Sequence, residues 1–455
     1  MIKSHVIALS LCAVLAGCAF RPELPNAKQE FSGSVNDVKI SNEWWKEFND
    51  EKLNALIEKA FSNNLDLKIT YINLKKAAAS LGIQKADWLP SLNASAGASR
   101  ANVAHEANPS SGFSLRAGLS YELDIWGKVR DSVDMAKANL RATNYDYDAA
   151  RISLAASVAK GYFNLASLLA QRAVYEKNLK NYEATRDLYA DKLKLGAISK
   201  SEYLQSEASV QNAEISLVNL DISISAAQAA LHILTGASND EIIYSATDIG
   251  KNDEVAINTG ISAQLLDHRP DVAAAWQRVV SANAALGVAK KAWLPSISLS
   301  AGFGYTSDRL DTLINPANSA WSLGGSLAQM IFDGGKINAN IDIAKLSEDA
   351  AFINYESTVR TAISEAVTAI DAASKSLSAK RKNAERLKTQ EEIYDITQIQ
   401  YDSGAVEYIS LLDAQRSLLN AQLELAKSEF NQKSAIVDLF KAMGGGWNKE
   451  LSQEN

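Results

Sequence analysis

The chain has 455 residues, 47% of them apolar, enough for a large buried core spread over two or three ordinary domains. Its formal charge of −7 argues against a nucleic-acid partner, which would demand a basic face. With only 7 Pro and 23 Gly among plentiful Ala and Leu, long helices are expected.

Lys3 and His5 make a polar start, and Val6 to Ala16 form an apolar run too short to span a bilayer. Residues 1–17 therefore read as a signal peptide. Leu15, Ala16, Gly17 and Cys18 spell LAGC, which resembles the lipobox of bacterial lipoproteins, with Cys18 as the lipidated residue. An ordinary secretory signal with an incidental Cys is the other reading. Ala19 stands where an Asp would favour retention at the inner membrane, so the resemblance favours the outer one. Cys12 falls inside the signal. Cys18 is then the one cysteine of the mature chain, which excludes disulfides, thiol nucleophiles and Cys-based metal sites. Beyond residue 18 there is no run of 18 uninterrupted apolar residues, so any crossing by the mature chain has to be made by β-strands. Residues 18–50 read as a lipidated, extended N-terminal segment.

An internal repeat dominates the rest. Residues 80–97, SLGIQKADWLPSLNASAG, and 285–302, ALGVAKKAWLPSISLSAG, are identical at ten of eighteen positions with an offset of 205. WGKV at 126–129 matches GGKI at 334–337, LGAIS at 195–199 matches SGAVE at 403–407, and LHILTG at 231–236 matches LFKAMG at 439–444, all offset by 208. Ala-rich helices alone would not keep Trp, Pro and Gly in register. Repeat 1 spans 51–236 and repeat 2 spans 263–443, separated by an insert at 237–262 and followed by a tail at 444–455.

Each copy predicts a helix, a β-hairpin (91–124 and 296–331), a very long helix (128–195 and 336–403), a tight turn, and a return helix (197–235 and 405–443). Pro90 and Pro295 end the opening helices, because Pro lacks an N–H and disfavours helical geometry before it. The next residues alternate with period two. Leu92, Ala94, Ala96 and Ala98 share a face, as do Phe113, Leu115, Ala117, Leu119 and Tyr121, while the opposite faces hold Ser, Gly, Asn, Arg116 and Glu122. In the second copy Ile297, Leu299, Ala301, Phe303 and Tyr305 share a face, as do Trp321, Leu323, Gly325 and Leu327. Strands of about ten residues with one apolar and one small or polar face suit a transmembrane barrel, and Trp88, Trp126, Trp293 and Trp321 suit its interfaces. A soluble two-hairpin sheet with one face on a core fits the same alternation; the lipobox tips the balance. Four strands cannot close a barrel, and an open edge in lipid leaves backbone groups unpaired at several kcal/mol apiece. The physics allows a dimer with eight strands or a trimer with twelve.

At 1.5 Å per residue the long helices run roughly 100 Å, the return helices roughly 58 Å and an opening helix at 65–89 roughly 37 Å. Leu411, Leu418 and Leu425 recur every seven residues, flanked by Leu412 and Leu419, as a knobs-into-holes seam requires. Val158, Tyr162, Leu165 and Leu169 keep helical spacing on the first long helix. These stripes are packing and imply no cofactor. His105, His232 and His268 lack metal-ligand spacing. HRPD at 268–271 is what a helix start calls for, and FDGGK at 332–336 lacks the phosphate-loop spacing. No catalytic triad or carboxylate dyad stands out, so no enzyme is expected.

Five segments taken together carry a resemblance over essentially the whole mature chain: WWKEFNDEKLNALIEKAFSNNLDL at 44–67, SYELDIWGKVRDSVDMAKANL at 120–140, HRPDVAAAWQRVVSANAALGVAKKAWLPS at 268–296, YISLLDAQRSLLNAQ at 408–422 and KAMGGGW at 441–447. They resemble the TolC-like outer-membrane factor family, in its lipoprotein branch serving multidrug pumps with resistance-nodulation-division (RND) transporters. The resemblance implies a mainly α chain with membrane β. As a homotrimer it would form a 12-stranded β-barrel continued by a long periplasmic α-helical barrel. It implies no cofactor and no catalysis. The implied partners are a periplasmic adaptor (membrane fusion protein), an inner-membrane RND transporter and outer-membrane lipid, and drugs and other small toxic compounds would pass outward. The insert and chain ends would form an equatorial domain.

Two sets of residues take family roles. Leu195, Gly196, Ala197 and Ser403, Gly404, Ala405 match the turn tips that face the adaptor. Ile409, Asp413 and Arg416 match inner-helix positions that constrict the closed periplasmic end; the first copy carries Ser201, Gln205 and Ala208 there. An exposed intrahelical ion pair is the plainer reading of Asp413 and Arg416, three apart on one helix face. Type I protein secretion is an alternative use of such a duct. A non-conducting coiled-coil envelope lipoprotein is an alternative to the duct itself, but leaves the four alternating strands unexplained.

Overall fold

The computed structural model describes residues 23–24, 41–101, 110–238, 242 and 268–447. Cys18, most of the 237–262 insert and the tail beyond residue 447 lie outside the described residues. The chain divides into two compact units.

The first unit contains residues 73–144 and 273–357. Its centre is an antiparallel sheet of β1 (Ser91–Ala101), β2 (Ser110–Glu122), β3 (Ser296–Ser307) and β4 (Ser319–Ala328), in the order β1-β2-β3-β4. The two hairpins of the repeat therefore join through β2 and β3. Register decides which face each side chain takes. Leu92 pairs with Leu119, Leu119 with Ala301 and Ala301 with Leu323; one step along, Ala94, Ala117, Phe303 and Trp321 are aligned. All four apolar sets thus fall on one side of the sheet, and Ser, Gly and Asn fall on the other. β1 and β4 border the sheet and are exposed along their whole lengths.

Long helices leave this sheet through acid-capped starts. The Asp124 carboxylate accepts from the N–H groups of Val129 and Arg130, both at 2.9 Å, and opens α3 (Lys128–Lys194). Asp333 accepts from Gly335 at 2.9 Å and Ile337 at 2.6 Å, and opens α6 (Lys336–Asp402). Each helix has 67 residues, about 100 Å of contour. Helix α5 (Pro270–Lys291) begins at the Pro of HRPD and delivers Lys291 to Asp131 at 2.5 Å. Both side chains of that pair are under a tenth exposed, and Lys291 also donates to the Gly127 carbonyl at 3.0 Å. Gly287 leaves the room that the Asp131 carboxylate occupies.

The second unit holds residues 29–72, 145–272 and 358–455. Its described elements are α1 (Glu51–Asn63), the start of α2 (Leu65–Ala86), most of α3, α4 (Lys200–Thr235), the end of α6, and α7 (Tyr408–Ala442). Residues 44–48 depart from the extended segment expected there. They form a 3₁₀ turn that buries Trp44, Trp45 and Phe48, because three large aromatics on one short turn gain more from burial than from extension. Trp44 stacks on Phe440 at 5.4 Å and Phe48 lies 4.9 Å from Phe163. Asp50 caps α1 by accepting from Lys52 and Leu53, and its second oxygen accepts the Tyr162 hydroxyl at 2.9 Å. Asn64 breaks the opening helix in two, capping Leu67 while its amide donates to the Leu234 carbonyl at 3.0 Å. Val158, Tyr162 and Leu165 are buried in this core, with Ile436 and Val437 of α7. Lys433 is 5% exposed with its ammonium 5.1 Å from the Phe163 ring, and burial pushes it down to about 8.

Arg269 adds a clamp beyond the helix start read from HRPD. Its guanidinium contacts Asp271 at 2.6 Å, Glu365 at 2.7 Å and the Ala442 carbonyl at 3.0 Å, tying three helices together. Helices α3 and α4 are long and apolar enough to cross a membrane by length and composition. On α4, Ile215, Val218, Ile222 and Ile233 are exposed.

Candidate functional site

Both helical hairpins turn in the same way. After α3, the Gly196 N–H donates to the Leu193 carbonyl and the Ala197 N–H to the Lys192 carbonyl, with Gly196 at φ 71°. After α6, the Gly404 N–H donates to Tyr401 and the Ala405 N–H to Gln400, with Gly404 at φ 77°. Each is a Schellman closure, which needs a left-handed residue and so selects Gly. The closure consumes residues 195–199 and 403–407, so the return helices begin at Lys200 and Tyr408 rather than at 197 and 405. Leu195, Gly196, Ala197, Ser403, Gly404 and Ala405 are all exposed, Leu195 at 84%. The two tips differ at the start of their return helices. Ser199 and Glu202 form a reciprocal capping box on α4, and those bonds hold the Glu202 carboxyl below its usual range. Glu407, the matching N-cap of α7, makes no side-chain cap.

Behind the tips the outgoing helices are tied together by tyrosines that the alternation and heptad patterns did not single out. Tyr189 of α3, 1% exposed, shares a hydrogen bond between hydroxyls with Tyr401 of α6. Its ring lies 4.6 Å from that of Tyr408 on α7, and Leu411 and Leu412 complete the cluster. Burial raises the Tyr189 phenol, followed by its bond to Tyr401, and Tyr408 is pushed up to about 12 by burial. Both stay protonated through the neutral range. Tyr189 stands seven residues before Gly196 and Tyr401 three before Gly404, so the repeat register does not pair them.

On α7, Ile409, Asp413 and Arg416 fall at i, i+4 and i+7 on one exposed stripe, while Tyr408, Leu411 and Leu412 around the rest of the helix are buried. Ile409 is 45% exposed. Arg416 Nη1 stands 3.8 Å from Asp413 Oδ1, too long for a hydrogen bond, and both side chains are more than half exposed. Ser201, Gln205 and Ala208 occupy an exposed face of α4. Among the described residues no three His, Cys, Asp or Glu gather as a metal would need.

A sheet with one lipid-compatible face, one small polar face and two open borders, running into paired helical hairpins, defines a channel subunit. The chain belongs to the outer membrane efflux protein family, whose model matches residues 56–237 and 261–445, one match per repeat. Among solved structures it is similar to the CmeC outer membrane channel of Campylobacter jejuni, with a TM-score of 0.89 and 30% identity, covering 96% of this chain and 97% of that one. The MtrE outer membrane channel of Neisseria gonorrhoeae, in its open state, superposes with a TM-score of 0.84 at 28% identity, covering 95% and 99%. The probable efflux pump outer membrane protein TtgC of Pseudomonas putida is 29% identical over 474 residues, covering 100% of this chain and 98% of the relative. The protein is an outer-membrane efflux channel that extends into the periplasm, not an enzyme. It is a trimer, so its four strands become twelve in the closed barrel, which the helices continue as an α-helical barrel.

Proposed function

We propose that the trimer is the exit duct of a three-part pump. An inner-membrane RND transporter would load small toxic compounds, a periplasmic adaptor would carry them across, and this channel would release them outside. The observation that carries the reading is the pair of Gly-closed tips, exposed at Leu195–Ala197 and Ser403–Ala405 and identical in backbone bonding. Two equivalent turns per chain offer an adaptor ring six landing points per trimer. Names of relatives, among them a toluene efflux pump outer membrane protein and an antibiotic efflux pump outer membrane protein of Pseudomonas putida, support small organic cargo. Ile409, Asp413 and Arg416 form the constriction at the periplasmic end, and the Tyr189–Tyr401 bond holds α6 against α3 while it is shut. Cys18 carries the lipid.

Photo-crosslinkers placed at Leu195 and Ala405 in cells test the docking role. Capture of a periplasmic adaptor at both sites is expected. Channels that conduct and localise normally, yet capture no adaptor at either tip, would refute it.

A further inference from the structure

Of the side chains on the Ser/Gly face of the sheet, only two among the described residues are charged. Glu122 ends β2 beside the helices, with its carboxylate 3.9 Å from Lys128. The other, Arg116, sits at the middle of β2, exposed, between Ser95 of β1 and Gly304 of β3. Among the described residues no hydrogen bond or ion pair engages its guanidinium. Its aliphatic stem lies across Gly304, where an added Cβ would come within 2.9 Å of Arg116 Cγ. The missing side chain at Gly304 is therefore what lets the arginine lie across β3. The matching position in the second repeat, offset by 208, is Gly324, so a trimer has three such charges and not six.

We propose that Arg116 forms an anion-attracting collar halfway through the membrane barrel, drawing phosphate- or carboxylate-bearing solutes into the outer half of the duct. The inference rests on the channel reading, in which the Ser/Gly face lines water. Twelve strands spaced about 4.8 Å and tilted about 45° set the backbone about 13 Å from the axis. A guanidinium reaching about 6 Å inward then stands about 7 Å from the axis, within one Debye length at 0.1 M salt. Three such charges enrich a monovalent anion on the axis about fourfold and a divalent one more than tenfold, falling to near unity at 1 M salt. Among the described residues, no carboxylate of the same face lies within the band that the collar occupies.

The test is block of single trimers in planar bilayers by tripolyphosphate added on the barrel side. Tripolyphosphate carries about four negative charges near neutral pH, so Arg116→Ser should raise the half-blocking concentration more than a hundredfold at 0.1 M KCl. Arg116→Lys should retain the block, and the difference should shrink to about threefold near 1 M KCl. Conducting Arg116→Ser trimers that block as the wild type does would overturn the collar and leave the channel reading standing. Wild-type trimers that pass no current would overturn the channel reading, and the collar with it.

Discussion

Tyr401→Phe isolates the tie between α3 and α6. The substitution keeps the ring, 5.9 Å from Tyr408, and deletes only the bond to Tyr189. Because Tyr189 is 1% exposed, its hydroxyl would lose its partner without gaining water, at about 1–3 kcal/mol. Taking the low end and a tie present only in the shut state, each protomer loses about 1 kcal/mol of closing preference, roughly fivefold in the shut-to-open ratio. Three protomers moving together give about 3 kcal/mol, on the order of 150-fold. Open probability of reconstituted trimers in planar bilayers reads this directly. Tyr394→Phe is the matched control, since that hydroxyl donates to Gln398 within its own helix at 3.3 Å. If Tyr401→Phe opens no more often than Tyr394→Phe, the tie does not hold the channel shut.

Asp413→Ala combined with Arg416→Ala should raise single-channel conductance while leaving melting temperature within a degree or two. The pair is exposed and 3.8 Å apart, worth less than about 1 kcal/mol to the fold; unchanged conductance would remove both residues from the constriction. Lys291→Met should cost about 3–5 kcal/mol by stranding the buried Asp131 charge, seen as early loss of helical circular dichroism on heating, whereas Lys128→Met at the exposed Glu122 pair should cost almost nothing. Lys433 holds a lowered value of about 8, so the unfolded chain binds more protons than the folded one between there and the ordinary lysine range. Its contribution to stability is least below pH 8 and grows as pH rises through that interval. Denaturant titrations of Lys433→Met should lack that rise relative to wild type, and identical slopes would exclude the effect.

The repeat, the strand faces and the helix order were legible because each rests on periodicity. Leu92, Leu119, Ala301 and Leu323 are in one row across the sheet because alternation and register both have period two. The features that stayed hidden depend on residues far apart in sequence. Tyr189 and Tyr401 are 212 positions apart, and no local pattern says that two tyrosines on different helices will meet. Asn64, which caps Leu67, reaches with its amide the carbonyl of Leu234, 170 positions away. The stripe of Ile409, Asp413 and Arg416 comes from helical spacing. In the proposed constriction, the surface facing that stripe belongs to sister copies, which no pattern within one chain encodes.

The open borders of the sheet have a consequence for biogenesis. β1 and β4 are different strands, so copies join head to tail, and such a contact either closes on itself or continues without limit. A newly exported copy therefore carries two adhesive margins of 11 and 10 residues through an aqueous compartment before any lipid shields them. Ring closure at three competes with fibre-like stacking, and crowding of fresh chains tilts that race toward the fibre. Overproduction should accordingly be tolerated poorly unless escort proteins mask one margin until insertion.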